Sequence, residues 1–122
     1  MAIYIFLARI DILTAHSRKQ MRKQVMAKGY WVSVYREIID QKKLTAYAEA
    51  GGPAVIANGG RFLVRGGRVI PKDGGMAERT VIVEFDSLDA AIAAYESDAY
   101  QAALEKLEGG VIRDFRIAEG AE

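Results

Sequence analysis

The feature that most constrains the fold of this chain is a short run of charged and apolar residues between two glycine pairs, Gly59-Gly60-Arg61-Phe62-Leu63-Val64-Arg65-Gly66-Gly67. Glycine adopts a positive φ without steric cost, so the two pairs indicate tight turns and the run between them predicts a β-strand. Side chains alternate across a strand, which predicts that Arg61, Leu63 and Arg65 share one face. A sheet face with two guanidinium groups either meets solvent or lines a polar pocket.

The composition is that of one ordinary globular domain. The chain has 122 residues, about half of them apolar, and a net charge of +1, so no long-range field draws it to nucleic acid or to anionic membranes. It has no cysteine, which excludes disulfides, thiolate nucleophiles and cysteine-bound metal centres. A cytoplasmic location is the default expectation.

The N-terminal residues do not predict a membrane span or a signal peptide. Residues 1–8 are apolar, but a span needs about twenty such residues, and a signal peptide needs a basic start and a cleavage pattern. Residues 16–23 are basic and polar. We interpret residues 1–25 as an N-terminal extension upstream of a natural start at Met26. The alternative is an amphipathic arm that docks on the domain, on a partner or on a membrane surface.

Hydrophobic periodicity from Met26 onwards predicts the order β-α-β-β-α-β over a domain of residues 26–120. The first half of the domain is predicted to contain a strand at 30–35, a helix Gln41–Ala57 that is capped by Asp40 and bent at Pro53, and the Arg61–Arg65 strand with a short partner strand at 68–70. The second half is predicted to contain a strand at 79–85, a helix that is capped by Ser87 or Asp89 and capped again at Ser97-Asp98, and a strand at 111–117. Acidic and hydroxyl residues cap helices because their side-chain oxygens accept hydrogen bonds from the free backbone N–H groups of the first turn.

This order predicts an α+β fold of the ferredoxin-like type, with an antiparallel sheet and both helices on one face. The other face would be uncovered, and we expect it to carry Trp31, Tyr35, Leu63 and Ile82. Such a face is too apolar to stay in water. A second copy of the sheet is the simplest cover, which predicts a two-fold homodimer with a closed interior, a dimeric α/β barrel.

Several motifs occur together in one order: Gly29-Tyr30, Asp40, the glycine-flanked block at 59–67, Arg79 with Val83-Glu84-Phe85, and Ser97-Asp98-Ala99-Tyr100-Gln101. The set resembles the bacterial family called domain of unknown function 1330, within the dimeric α/β barrel superfamily, over about residues 27–120. The resemblance implies a ferredoxin-like subunit and a homodimer, with no established reaction. Relatives in the superfamily include cofactor-independent monooxygenases, isomerases, dehydratases and haem-degrading enzymes, but kinship of fold does not transfer chemistry.

The candidate ligand-binding residues are Arg61, Arg65 and Arg79, with Tyr35 and Trp31 as pocket walls. Guanidinium groups bind carboxylates and similar anions through two parallel hydrogen bonds, so the arginines predict a small anionic ligand.

The candidate catalytic residues are Glu84 and Tyr100, either of which would handle a proton. Burial would raise the pKa of Glu84 and favour a general base, whereas a guanidinium would lower that pKa and favour a structural ion pair. The hydroxyl of Tyr100 either donates into a pocket or is satisfied within the core. We interpret Tyr47 and Tyr95 as packing residues.

These residues predict a small-molecule enzyme or binder that acts inside a homodimeric barrel on an anionic ligand. The alternative is a non-catalytic dimeric module, structural, accessory or ligand-sensing, and whether the protein is an enzyme stays open. His16 is the single histidine, so we expect no metal site, no haem and no other cofactor. An RNA-binding sheet is a weaker hypothesis, since Gly60-Arg61-Phe62-Leu63-Val64 is only faintly similar to the aromatic RNA-recognition run.

Overall fold

The computed structural model describes residues 27–121. The predicted extension at residues 1–25 and the predicted start at Met26 lie outside that range. The elements are β1 (Gly29–Ile38), α1 (Gln41–Ala57), β2 (Arg61–Arg65), β3 (Thr80–Phe85), α2 (Leu88–Glu96), α3 (Asp98–Leu107) and β4 (Val111–Glu119). The predicted α+β class and element order are confirmed, with the second helical region divided into α2 and α3.

The strands form one antiparallel sheet in the order β2-β3-β1-β4. One face of the sheet packs on all three helices, and we call it the helix face. Its core residues include Trp31, Val83 and Phe85, which pack with residues from each helix such as Val55 and Tyr100. The opposite face carries no helix among the described elements, and we call it the open face.

Hydroxyl and carboxylate caps set where the helices begin. The Asp40 side chain accepts from the backbone N–H groups of Lys42 and Lys43, which starts α1. Ser97 ends α2 and starts α3: its hydroxyl donates to the carbonyl of Ala94 at 2.8 Å and accepts from the N–H of Tyr100 at 3.3 Å. The predicted recapping at Ser97 is confirmed, and it fixes Tyr100 in the first turn of α3.

The predicted assignment of aromatic residues to the open face is wrong for Trp31 and Tyr35. Both lie on the helix face and are buried, since alternation along β1 puts them in phase with the residues under the helices. Burial of a large aromatic side chain gives a large gain in free energy, and within residues 27–121 of one chain only the helix face of the sheet is covered. The open face carries Tyr30, Val32 and their cross-strand neighbours Glu84 and Ile82 instead.

The prediction that Arg61 and Arg65 share a face is also wrong. In the β2–β3 pairing Arg61 lies opposite Glu84 and Arg65 lies opposite Val81, with a register shift between Phe62 and Val64. The shift is a β-bulge that inserts one extra residue, and one extra residue exchanges the two faces beyond it. Arg61 therefore belongs to the open face and Arg65 to the helix face.

The predicted strand at 68–70 does not form. The N–H of Gly66 donates to the carbonyl of Thr80, so β2 pairs directly with β3 and the intervening residues are left in a loop. Pro71 cannot donate a ladder hydrogen bond, which further disfavours a strand there. Ile70 and Met76 in this loop are exposed. None of the helices within residues 27–121 is long and apolar enough to cross a membrane.

Candidate functional site

A cavity of about 460 Å³ lies between α1 and the helix face of the sheet. Most of its wall is apolar, and its polar groups include tyrosines and arginines that come from five different elements or their ends. We call it the arginine–tyrosine pocket. It is lined among others by Ser33, Tyr35, Leu44, Tyr47, Gly52, Val55, Phe62, Arg65, Arg79, Val81, Arg113 and Phe115.

The space under α1 exists because two inward-facing positions of this helix are glycines. Gly51 and Gly52 are both buried. A Cβ atom at Gly51 would lie 3.3 Å from the ring of Tyr47, and a Cβ atom at Gly52 would lie 2.9 Å from Nη2 of Arg65. The missing side chains therefore leave room for the two polar groups that reach into the pocket from α1 and β2.

Arg113 of β4 is the centre of the polar part of the pocket. Its Nη1 donates to the hydroxyl oxygens of Tyr35 at 3.2 Å and Tyr47 at 3.4 Å, and its Nη2 donates to that of Tyr100 at 3.2 Å. The guanidinium carbon also lies 4.7 Å from the ring centroid of Phe115, which is a cation–π distance. Among residues 27–121 no carboxylate forms an ion pair with this guanidinium.

The electrostatics of this cluster keep Arg113 charged and Tyr100 neutral. Burial by itself lowers the pKa of Arg113, but the oxygens of Tyr47, Tyr100 and Tyr35 raise it by more, so this pKa lies above its ordinary value. Burial is the main cause that raises the pKa of Tyr100, with a further contribution from Tyr47 and an opposing one from Arg113. Tyr100 is therefore a neutral phenol at physiological pH.

Two further guanidinium groups lie at the rim of the pocket. Arg65 stacks on Phe62, with its guanidinium carbon 4.0 Å from the ring centroid. Arg79 lies over the ring of Tyr35 at 5.7 Å, and its Nε is buried with no hydrogen-bond partner in the described part of the chain.

The rim arginines differ from those elsewhere in the sheet in their pairing. Arg36, Arg61 and Arg116 each form an ion pair with a carboxylate, whereas Arg65 and Arg79 form none with any residue from 27 to 121. Glu49 lies at the rim as well but is exposed. With three arginines and this one carboxylate among its lining residues, the pocket carries a net positive charge.

Ser33 is a buried polar residue in the floor of the pocket. It lies on β1 between Trp31 and Tyr35, is 3% exposed, and its hydroxyl has no hydrogen-bond partner among the residues described. A buried hydroxyl without a partner costs free energy, so native structures nearly always supply one. A ligand or a water molecule in the pocket would satisfy it.

The structure brings together most of the predicted ligand-binding residues. Tyr35, Arg65 and Arg79 line the pocket, and Trp31 contributes to its wall while its Nε1 donates to the carbonyl of Ala91 at 2.8 Å. Tyr100 reaches the site through its hydroxyl, which Arg113 and Tyr47 contact.

The structure separates Arg61 and Glu84 from this pocket, because both lie on the open face. The Glu84 carboxylate accepts from the hydroxyl of Tyr30 at 2.9 Å and from Nη2 and Nε of Arg61 at 3.1 and 3.2 Å. The Tyr30 hydrogen bond, followed by that of Arg61, lowers the pKa of Glu84 below its ordinary value. This geometry favours the structural ion pair, which was one of the two alternatives for Glu84.

Three residues of the pocket were not identified as functional from the sequence: Arg113, Tyr47 and Ser33. Arg113 has a recognisable signal, since it is in phase with Phe115 and Ile117 along β4. A charged residue in the apolar phase of a strand either is paired or lines a cavity. Tyr47 was interpreted as packing only, although its hydroxyl lies 2.6 Å from that of Tyr100.

Within residues 27–121, no group of three or more histidine, cysteine or carboxylate side chains is arranged to hold a metal ion. The donors that converge on the pocket are instead guanidinium and phenol groups. Both kinds of donor bind anionic oxygens rather than cations.

Comparison with known proteins identifies one family and a set of similar folds. The model of the family described as "Domain of unknown function (DUF1330)" matches residues 28–121. No curated protein matches the chain.

Two solved structures have a fold similar to that of this chain. A protein of unknown function from Rhodopseudomonas palustris has 18% identity and a TM-score of 0.63, over 88% of this chain and 92% of its own. A dimeric ferredoxin-like protein of unknown function from Thermobifida fusca has 17% identity and a TM-score of 0.51, over 79% of this chain and 92% of its own. At these identities the likeness shows the ferredoxin-like fold and does not transfer a function.

Proposed function

The chain belongs to the DUF1330 family, and we propose that its function is to bind a small organic anion in the arginine–tyrosine pocket. The observation that carries this proposal is that Arg65, Arg79 and Arg113 converge on one mostly apolar cavity without a carboxylate partner among the described residues. Like charges near low-dielectric walls repel one another and are stabilised by a counter-ion. An anionic ligand would supply it.

The size and lining of the pocket support a ligand with an apolar body. Its volume of about 460 Å³ lies within the range of about 300–1,000 Å³ that is usual for small-molecule sites. Val55, Phe62 and Phe115 offer apolar contact to that body. Ser33 offers one further hydrogen bond in the floor, where its hydroxyl has no partner within residues 27–121.

An enzyme and a non-catalytic ligand sensor would both use this pocket. Turnover of the bound molecule distinguishes them, and in either case Tyr100 acts through its contacts with Tyr47 and Arg113. Glu84 and Arg61 are assigned to the open face as an ion pair. The cytoplasmic location stays a prediction.

We propose in addition that a second copy of the chain covers the open face. Val32 and Ile82 face each other across β1 and β3 there, and such apolar pairs gain free energy by leaving water. The similar structure from Thermobifida fusca is described as dimeric. The proposed ligand would then lie under the helices of one chain, not between the two sheets as the sequence had predicted.

The first experiment is native mass spectrometry of the freshly purified full-length protein, followed by denaturation and identification of any released small molecule. We expect a dimer that carries an additional anionic mass. An Arg65→Ala variant should lose that mass, and an Arg61→Ala variant should keep it, because Arg61 lies on the other face of the sheet. Equal retention by both variants would contradict the placement of the anion in this pocket.

A further inference from the structure

The hydrogen bonds of the Arg113 cluster leave two hydroxyl protons directed at the pocket. We infer that Tyr35 and Tyr47 form a pair of donors for one anionic oxygen, and that the ligand is a phenol or enol bound as its oxyanion. This inference rests on the proposed anion-binding function and adds the chemical class of the anion. It assigns three roles: Tyr35 and Tyr47 bind the oxygen, Arg113 polarises them, and Tyr100 positions Tyr47.

Three of the N–H donors of Arg113 are directed at tyrosine hydroxyls. A guanidinium has five N–H donors, two of them on each Nη atom. Both donors of Nη1 are used by Tyr35 and Tyr47, and one donor of Nη2 is used by Tyr100. Nη1 therefore has no N–H left for a ligand, so this atom acts on a ligand through the hydroxyls of Tyr35 and Tyr47.

Each of these hydroxyls accepts from Arg113 and must direct its own proton elsewhere. A tyrosine hydroxyl has one donor proton besides its acceptor lone pairs. For Tyr35, the part of the chain from 27 to 121 offers no acceptor for that proton, while its side chain lines the pocket. The free donor of Tyr35 is therefore available to a ligand.

The hydrogen bond between Tyr47 and Tyr100 decides which of them has the second free donor. The two oxygens lie 2.6 Å apart and one must donate to the other. Tyr100 is fully buried and does not line the pocket, whereas Tyr47 does. Donation from Tyr100 to Tyr47 leaves no buried proton without an acceptor, because the proton of Tyr47 then points to the cavity.

Two phenol donors backed by one cation suit a single oxygen that carries negative charge. Both hydroxyl oxygens lie within 3.4 Å of the same Nη1 atom, so a ligand oxygen beside Nη1 has both hydroxyls as neighbours. Donors fixed in advance in a site of low dielectric stabilise an oxyanion more strongly than water does. A phenol or enol that binds here loses its O–H proton to solvent, since the ionised oxygen accepts both hydrogen bonds.

The rest of the pocket agrees with a flat conjugated ligand. Trp31, Phe62 and Phe115 line it as aromatic walls, and flat rings pack well against such walls. Arg65 and Arg79 at the rim keep guanidinium donors for a second acidic group, a carboxylate if the ligand has one.

The inference is tested with 4-nitrophenol, whose ionised form is yellow and whose pKa lies near neutrality. The full-length protein is titrated with this probe across a pH series, and the yellow band reports the ionised fraction of the bound probe. We expect the bound probe to be ionised at a lower pH than the free probe. Binding of 4-nitrobenzoate, which has a carboxylate and no phenol, is measured in parallel by calorimetry.

Variants then identify the donors. Tyr35→Phe and Tyr47→Phe should each weaken binding of the ionised 4-nitrophenol about tenfold, equivalent to about 1.4 kcal/mol, and should raise the pKa of the bound probe. Tyr95→Phe is the matched control, because it removes a tyrosine hydroxyl outside the residues that line the pocket. Unfolding curves of each variant separate a lost donor from a lost fold.

The outcomes separate this inference from the proposed function. If 4-nitrobenzoate binds but 4-nitrophenol binds as the neutral phenol or not at all, the oxyanion site is overturned and the anion pocket stands. The oxyanion site is overturned in the same way if both tyrosine variants leave the pKa of the bound probe unchanged. If neither probe binds to the wild-type protein, the proposed function fails together with the inference. If a variant does not fold, the titration of the wild-type protein with 4-nitrophenol alone decides whether the pocket binds an oxyanion.

Discussion

The hydroxyl oxygens of Tyr47 and Tyr100 lie 2.6 Å apart, although the two residues are separated by 53 positions in the chain. The contact joins α1 to the first turn of α3. Arg113 of β4 donates to both hydroxyls, so two helices and the sheet meet at one hydrogen-bonded cluster. The groups that form the candidate site are therefore also groups that hold the fold together.

This cluster predicts a measurable coupling between Tyr47 and Tyr100. Each single change to Phe should lower the free energy of unfolding by about 1 kcal/mol, the usual value of a hydrogen bond. The double variant should be more stable than the sum of the single losses predicts, with a coupling of about 0.5–3 kcal/mol. Urea denaturation of the four proteins gives this coupling. Additive losses would mean that the two hydroxyls do not interact in solution.

A second prediction concerns Ser33, whose buried hydroxyl has no partner among the described residues. Ser33→Ala should leave the free energy of unfolding of the empty protein unchanged or raise it by up to about 1 kcal/mol, because an unsatisfied buried hydroxyl is removed. Affinity for the ligand released by denaturation should fall in the same variant. Chemical denaturation and calorimetry measure the two effects. A clear loss of stability in the empty protein would show that the hydroxyl has a partner, such as a bound water.

A third prediction tests the packing at the end of α1. A Cβ atom at Gly60 would lie 2.6 Å from Cγ1 of Val55 and 2.9 Å from Cγ1 of Val83. Gly60→Ala should therefore lower the free energy of unfolding by about 1–3 kcal/mol, as overpacking of a core does. Gly67→Ala is the matched control, since a Cβ atom there meets nothing within 4 Å. Similar midpoints of thermal unfolding for both variants would contradict this account of the core.

A fourth prediction follows from the carboxylates of the open face. The hydrogen bond from Tyr30 and then that from Arg61 lower the pKa of Glu84, and the hydrogen bond from Arg116 lowers the pKa of Asp114. A carboxyl group whose pKa is lower in the folded state stabilises that state above its unfolded pKa. This stabilisation is lost as the pH falls from about 4 through the folded pKa.

The measurement is the free energy of unfolding of the wild type and of Glu84→Gln in urea between neutral and acidic pH. We expect the variant to be less stable than the wild type at neutral pH, and the difference to shrink as the pH falls below the ordinary pKa of glutamate. Asp89→Asn on α2 is a suitable control, because Asp89 is exposed and forms no ion pair within residues 27–121. A difference that stays constant with pH would contradict the lowered pKa of Glu84.

The sequence predicts the element order because caps and periodicity are local signals. Asp40 and Ser97 begin helices where their side chains meet free N–H groups, and both positions were predicted correctly. The family membership and the ferredoxin-like fold are confirmed as well. Each of these features depends on residues near one another in the chain, or on a pattern repeated along it.

The errors come from features that only the assembled sheet determines. The bulge in β2 exchanges the faces of Arg61 and Arg65, and alternation alone cannot show where an extra residue enters a ladder. The sequence also gives no sign of which face the helices cover, so Trp31 was assigned to the wrong one. The position of Arg113 in the apolar phase of β4 is a local signal, but its three tyrosine partners are brought together only by packing of distant elements.

The last prediction concerns the open face and the proposed homodimer. Val32 lies on this face opposite Ile82 of β3, so Val32→Glu places a charge in the middle of the proposed interface of both copies. Burial of an unpaired charge is costly enough to separate such dimers. Light scattering coupled to size-exclusion chromatography should show a monomer for this variant. Ile56→Glu is the control, because Ile56 is exposed on α1, on the other side of the sheet, and should leave the dimer intact.

The same variant tests whether the pocket depends on the dimer. The arginine–tyrosine pocket lies between α1 and the helix face, and the proposed interface lies on the open face. We therefore expect the monomeric Val32→Glu protein to bind 4-nitrobenzoate with an affinity close to that of the wild type. Loss of binding in a folded monomer would place the anion between the two sheets, as the sequence alone had predicted. A variant that remains a dimer would instead refute the assignment of the open face as the interface.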